Sequence, residues 1–422
     1  MKVMVVGGGG REHAIIKSLL KNPAIEKIYA LPGNGGIARD AECVAIGAKD
    51  IPAQVRFARE NGIDYAVIAQ DDPLALGAVD ALSAVGIPSF GPCAKAAEIE
   101  SSKVFSKNLM KKYGIPTAGY EVFDDPKMAL RYLETAPIPI VVKADGLALG
   151  KGVTVAFTRE EAQAAVRAAM EDKVFGDSGN SIVIEEYLEG PEVSVLSFTD
   201  GRTLVPMVSS MDHKRANDDD KGPNTGGMGT IAPNPYYTPA VAEECMEKIF
   251  LPTIKAMQAE GRPFKGCLYF GLMLTKDGPK VIEYNCRFGD PETQVVLPLL
   301  ESDLFTIMKA TTDGTLEDVE VKFSDGAACC VVMASAGYPV RYEKGFEITI
   351  PPELDDYVYS AGAELKDGKL VTNGGRVLGV IATAENLKTA IDKAYDRTKQ
   401  ISFDNAYFRK DIGSRALAAQ EA

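Results

Sequence analysis

Glu283, Asn285 and Arg287 alternate along Val281-Ile-Glu-Tyr-Asn-Cys-Arg287, a run that reads as a β-strand. Side chains of a strand repeat with period two, so these three are expected on one face. A carboxylate beside an amide oxygen is a hard donor pair suited to Mg2+. The guanidinium one step further on suits a carboxylate or a phosphate. The run then breaks into Phe288-Gly-Asp-Pro-Glu-Thr293, a polar turn where a substrate could sit. A solvated strand face would explain three polar residues alone, but an amphipathic strand seldom ends in so dense a polar turn. The pattern predicts a metal and phosphate centre.

The chain that must position this centre has 422 residues, 46% hydrophobic and 25% charged, enough for two to four domains with ample core. Its net charge of -13 disfavours a broad basic surface, so neither nucleic acid nor an anionic membrane is expected as a partner. An anionic substrate must instead meet a local cluster of cations and backbone N–H groups. Seven scattered cysteines without a Cys-x-x-Cys pair read as reduced thiols. Met1 leads directly into a strand and no apolar run reaches the ~18 residues of a membrane span, so a cytoplasmic protein is expected.

Strands at 2–6, 28–31, 64–69 and 88–90 alternate with helical segments, which predicts a parallel α/β sheet. Gly7-Gly-Gly-Gly10 ends the first strand at a helix N-terminus, where backbone N–H groups can receive an anion, with Arg11 and His13 nearby. It is not a dinucleotide fingerprint: Glu12 stands where a small residue is needed, and Ala30-Leu-Pro replaces the acidic ribose ligand. One helix is expected over 94–113, containing Lys103. Val142-Lys-Ala-Asp-Gly-Leu-Ala-Leu-Gly-Lys-Gly152 then reads as two strands joined by a glycine-rich flap, with Lys143 and Lys151 at its ends. Gly146 and Gly150 enclose only three residues and a strand follows Gly152, so this is a mobile phosphate cover and not a Walker A loop. The strand 181–186 runs into a connector able to pair with an adenine edge, and Glu192 can take ribose hydroxyls. Residues 212–229 form a long polar, glycine-rich loop of the kind that carries function. Short strands at 329–334, 347–350, 369–372 and 376–383 with a helix at 385–399 read as a small α+β domain. Arg376, after the Asn373-Gly-Gly turn, reads equally as a site residue or a surface arginine.

Six motifs in order resemble the glycinamide ribonucleotide synthetase family, phosphoribosylamine–glycine ligases of the ATP-grasp superfamily. They are Val5-Val-Gly-Gly-Gly-Gly-Arg-Glu-His13, the 142–152 flap, Asp212-His-Lys-Arg215, Gly222-Pro-Asn-Thr-Gly-Gly-Met-Gly229, Glu283 to Gln294, and Asn373-Gly-Gly-Arg376. Arg409-Lys-Asp-Ile-Gly413 closes the match, which covers nearly the whole chain. The resemblance implies an N-terminal α/β domain at 1–101, a two-part ATP-grasp domain at 102–325 with its lid near 118–186, and a C-terminal α+β domain at 326–422. It further implies a metal, Mg2+ or Mn2+, on Glu283 and Asn285. Nucleotide would be held by Lys103, Lys143, Gly146, Gly150, Lys151 and Gly152, by Glu185, Glu186, Tyr187 and Leu188 around adenine, and by Glu192 on ribose. Substrate contacts would fall to Gly8, Gly9, Gly10, Arg11, Glu12, Asp71, Lys214, Asn224, Thr225, Gly226, Gly227, Asp290, Pro291, Glu292 and Thr293. Arg287 and Asp212 would serve catalysis.

Two departures stand out. Gly8 occupies a usual Asn position, and Ala69-Gln-Asp-Asp-Pro-Leu74 replaces Gly-Pro-Glu-x-Pro-Leu, leaving Asp71 as a shorter acid. The contacts to the ribose phosphate substrate need not follow the family there. The implied reaction joins glycine to 5-phosphoribosylamine at the expense of ATP, through glycyl phosphate, in a chain expected to act as a monomer or, alternatively, a dimer. Another ATP-grasp enzyme, a ribonucleotide carboxylase using bicarbonate, is the rival.

Overall fold

Val3 to Val6 are buried on both faces, as a strand must be when helices cover both sides of a parallel sheet. In the computed structural model, which describes residues 1–148 and 152–421, Lys2–Gly7 is the middle strand of five. Lys27–Pro32 and Tyr65–Ile68 flank it in parallel, with Glu42–Cys43 and Ser89–Phe90 outside them. The chain reverses its direction of travel across the sheet between Lys2–Gly7 and Tyr65–Ile68. Ligands of such sheets bind beyond the strand ends at that point. The Gly7–Gly10 turn and Asp71 lie there.

The expected single helix over 94–113 is two, Ala94–Ser101 and Lys103–Tyr113. Ser102 is extended (φ -133°, ψ 112°), and its hydroxyl caps the second helix at Phe105 N, 3.0 Å away. Asp145 takes the Val104 N–H at 2.8 Å, so the break ties this helix to the mouth of the flap.

The lid is a four-stranded antiparallel sheet ordered Tyr120–Phe123, Ile182–Glu186, Ile140–Ala144, Val153–Ala156. Period two divides its faces. Ile140, Val142, Ile182 and Ile184 pack on Leu133, Ala162 and Val166, while Val141, Lys143 and Glu185 turn the other way. A second antiparallel sheet, ordered Leu204–Pro206, Glu192–Thr199, Gly266–Thr275, Gly278–Asn285, carries Glu283 and Asn285 on its last strand. That strand ends at Asn285, two residues earlier than expected. The Cys286 N–H donates to the Glu100 carboxylate at 2.7 Å and leaves the ladder.

The polar segment 212–229 is not an irregular loop. Arg215–Asn217 pairs with Lys221–Asn224 as an antiparallel ribbon. Its roots, Met211–Asp212 and Gly229–Ala232, pair with each other, and Gly229–Ala232 joins Ala327–Ser335. The C-terminal sheet of Ala327–Ser335, Arg376–Ala384, Val358–Ser360 and Ala406–Tyr407 thus takes two of its six strands from the middle of the chain. Residues 347–350 form only isolated bridges, at Glu347 and Thr349, and Pro351-Pro352 follows at once.

The parts meet around Phe90, Phe198 and Phe288, whose ring centroids lie 5.9 to 6.4 Å apart. Phe288 anchors the polar turn to the first sheet. Among the described residues no helix is long and apolar enough to cross a membrane.

Candidate active site

A cleft of about 1120 Å³ runs between the lid, the second sheet, the ends of the first sheet and the ribbon. Glu283, Asn285 and Arg287 share its floor, as their alternation predicts. Glu283 faces Gly271 across the ladder, where an added Cβ would lie 2.8 Å from the Glu283 Cγ. Only a residue without Cβ leaves the glutamate its place. Burial opposes the charge of Glu283, yet Lys214 foremost, then Lys143, Arg287 and Lys103, hold its pKa below the usual value. Lys214 Nζ sits 3.5 Å from Glu283 Oε1 and 3.4 Å from Glu192 Oε2. An ionised carboxylate and the Asn285 amide oxygen are the donor set a hard divalent cation takes when phosphates complete its shell. No group of three or more His, Cys, Asp or Glu with metal-site geometry occurs among the described residues.

Arg287 is clamped. Its Nη2 donates to Asn285 Oδ1 at 3.0 Å and lies 2.9 Å from Glu100 Oε1. Burial pushes the Glu100 pKa up despite Arg287, whereas Arg287 and Arg11 overcome burial at Asp71 and bring it down. Burial works against the charged Arg287, but Glu100 and Asp71 keep it protonated. A fixed guanidinium is thus presented between the Gly278–Asn285 strand and the first sheet.

The opposite wall carries three lysines. Lys143 pairs with Glu185 and donates to the Ile282 carbonyl at 2.9 Å. Lys107 reaches Glu185 at 2.5 Å and Thr117 Oγ1 at 2.8 Å, and burial brings its pKa down to about 8. Lys103 donates to the Gly146 carbonyl at 3.1 Å, and burial, then Lys143, lower its pKa. Tyr187, Leu188, Glu186, Glu192 and Gly152 also line the cleft, with Phe157 packed edge-on against Tyr187. Gly146 lies behind Lys103, off the cleft wall. Gly150 and Lys151 lie outside the described residues.

At the third side, Asp212 and Glu292 face Lys214 and Tyr269. Burial and the neighbouring Glu292 raise the Asp212 pKa well above a usual carboxylate. Burial also raises Glu292, which accepts from the Tyr269 hydroxyl at 3.1 Å. Arg376 belongs to the site: its Nη1 donates to the carbonyls of Asp290 at 2.9 Å and Gly226 at 2.8 Å. Asn224, Thr225, Gly226 and Asp290 line the same wall.

Several of the residues expected to contact substrate also hold one another in place. The Gly9 N–H donates to Glu12 Oε2 at 2.6 Å, and Glu12 Oε1 takes Arg11 Nε at 2.6 Å, so Glu12 caps its own helix and takes one N–H of the glycine turn. Gly9, Arg11 and Glu12 still edge the cleft. Gly8 packs against Gly33 and Gly10 against Gln294. The fully buried Thr293 hydroxyl donates to the Gly289 carbonyl, and Pro291 packs behind the turn against Gly227. His13 turns away altogether: Nε2 lies 2.7 Å from Asp40 Oδ2, and Nδ1 accepts from Ser360 N at 2.8 Å.

Sequence reading passed over Glu100 and Lys107. Lys107 stands four residues after Lys103 on the same helix face, a spacing that could have flagged it. Glu100 sits in an alanine-rich helix and carried no such signal.

This geometry can be set beside known proteins. Residues 1–100 match the phosphoribosylglycinamide synthetase N domain, 101–293 its ATP-grasp (A) domain and 328–415 its C domain. The phosphoribosylamine–glycine ligase of Caldanaerobacter subterraneus is 48% identical over 98% of this chain and 100% of its own. The trifunctional purine biosynthetic protein adenosine-3 of Gallus gallus is also 48% identical, over 99% of this chain but 42% of that protein. The crystal structure of the Thermotoga maritima phosphoribosylamine–glycine ligase superposes with a TM-score of 0.87 at 35% identity, covering 98% of this chain and 100% of that one. A Campylobacter jejuni biotin carboxylase shares the fold alone, with a TM-score of 0.75 at 15% identity over 96% of this chain and 92% of that one. With all three domain matches in order along the one chain that builds the cleft, the protein belongs to the phosphoribosylglycinamide synthetase family.

Proposed function

We propose that the chain joins glycine to 5-phosphoribosylamine, converting ATP to ADP and phosphate and giving glycinamide ribonucleotide in purine biosynthesis. The observation that carries this reading is the cleft itself: an acid–amide pair and a clamped arginine on one wall, lysines on the other, inside a chain of this family. A glycine carboxylate oxygen attacks the γ-phosphorus, and the bond from that phosphorus to the bridging oxygen of ADP breaks. The amine of phosphoribosylamine then attacks the acyl carbon of glycyl phosphate. Phosphate leaves with the C–O electron pair, and the amine nitrogen gives up a proton.

Little covalent work falls to the protein, so rate comes from positioning and charge neutralisation. Lys103 and Lys143 cradle the nucleotide phosphates, Tyr187 and Leu188 flank adenine, and Glu192 takes the ribose hydroxyls. Arg287 steadies the transferring phosphoryl or the glycine carboxylate. Asp212 and the ribbon contact substrate and exclude water. Glu283 and Asn285 would hold a divalent cation, Mg2+ with Mn2+ as its substitute, which screens phosphate charge when bound. Seven free cysteines fit action in the cytoplasm, as a monomer or, alternatively, a dimer.

Phosphate release from ATP is expected to require both glycine and phosphoribosylamine for full rate. Bicarbonate replacing glycine in that assay would transfer the chain to carboxylase chemistry.

A further inference from the structure

Arg409-Lys-Asp-Ile-Gly413 has no place in the chemistry above, yet Arg409 is among the largest fully buried side chains of the protein, 1% exposed. Every arm of its guanidinium is met. Nε and Nη2 donate to the two oxygens of Asp411 at 2.8 and 2.7 Å. Nη1 donates to Asp220 Oδ1 at 2.9 Å and to the Arg215 carbonyl at 3.1 Å. The first two acceptors belong to its own segment. The other two belong to the ribbon, 189 and 194 residues away in sequence.

The neighbours repeat the pattern. Lys410 N donates to Asp218 Oδ1 at 2.8 Å, Asp219 N to Asp411 Oδ2 at 2.9 Å, and Arg415 Nη1 lies 3.0 Å from Asp220 Oδ2. At the ribbon root, Gly413 N donates to His213 Nε2 at 3.1 Å. All three residues of the ribbon tip are therefore tied to 409–415, while Lys221 to Asn224 are exposed. One arm leads back to Lys214, between Glu192 and Glu283. The other leads to Thr225, whose N–H and hydroxyl both donate to the Lys214 carbonyl, at 2.7 and 2.9 Å.

We propose that Arg409 is a positioning residue for the ligase reaction: through Asp220 and the Arg215 carbonyl it fixes the ribbon so that Lys214 and Thr225 stand over the Gly278–Asn285 strand. It touches no substrate. Holding the C-terminal segment alone would need only the Asp411 chelate. The two contacts across to the ribbon go beyond that need, and a buried guanidinium is costly unless it is paired and hydrogen-bonded. Misplacement of a substrate-facing group by about 1 Å can cost up to roughly 100-fold in rate.

The inference rests on the ligase reading. A wild-type chain without glycine-dependent phosphate release would refute that reading, whereas the variants address Arg409. Asp220→Asn weakens the ribbon side and keeps the Asp411 chelate. Arg409→Lys keeps a charge that cannot span three acceptors. Both are expected to lower kcat roughly 10-fold or more, with a far smaller change in the ATP dissociation constant measured by calorimetry and with Asp220→Asn melting close to wild type. Unchanged kcat in both variants overturns the proposal. So does a loss of turnover matched by an equal loss of ATP affinity or of folded protein.

Discussion

Glu283 concentrates the chemistry of the floor. It faces Lys214 at 3.5 Å, and that lysine already has a second partner in Glu192, so removal of the carboxylate leaves no buried charge unpaired. Glu283→Ala is therefore expected to melt near wild type while kcat falls by roughly 100-fold or more, the scale of losing a group aimed at transition-state charge. Near-normal turnover of that variant in excess Mg2+ would remove the metal assignment. The period-two spacing made this residue and Asn285 legible in the sequence, because strand alternation is fixed by backbone geometry. Arg287 was legible only as a cation on the same face. The clamp by Glu100 was not, since a glutamate in an alanine-rich helix looks the same whether it meets water or a guanidinium from 187 residues later.

The ribbon shows where reading by element fails. Residues 212–229 are polar and glycine-rich, so local propensity gives a loop, and the ordering comes from distant partners such as His213 and Gly413. His213 Nε2 accepts the Gly413 N–H, which places its proton on Nδ1, facing the Gly229 carbonyl at 3.1 Å. Burial, then Arg409, drives its pKa down to about 4. A neutral histidine of this kind contributes its full stability above an unfolded pKa near 6.5. That contribution is lost as pH falls from there toward 4, to a total of about 3 kcal/mol. His13 is lowered too, by burial, and acts in the same direction. Urea midpoints measured from pH 7.5 to 4.5 should therefore fall less steeply in His213→Asn than in the wild type. Parallel pH profiles for the two proteins would contradict the assignment. The broken helix at Ser102 belongs to the same class of miss. The Asp145 carboxylate that fixes the break lies 43 residues on from Ser102.

At the scale of the molecule, a chain of net charge -13 meets anionic substrates by gathering Lys103, Lys107, Lys143, Lys214, Arg287 and Arg376 into one cleft. Alternating strands and helices announced the first sheet, and the net charge disfavoured a broad cationic face. What composition could not announce is that the C-terminal sheet borrows Met211–Asp212 and Gly229–Ala232. A unit cut at 326 is thus not closed on itself. Truncation to residues 1–325 is expected to expose the unpaired Gly229–Ala232 edge, remove Arg376 from the site and abolish glycine-dependent turnover. Activity assays and a thermal melt of the truncated chain check this, and a cooperative melt with near-full turnover would be decisive against it.

The glycine opposite Glu283 reaches beyond stability. Position 271 is a lock on the evolutionary reach of the scaffold, because any side chain there would take the space of the Glu283 Cγ. Substitutions that redesign the floor of the cleft must therefore come from Glu283, Asn285 and Arg287 themselves, or must first shift the register of two paired strands. The neighbouring bulge after Gly271 marks where such a shift has room to begin.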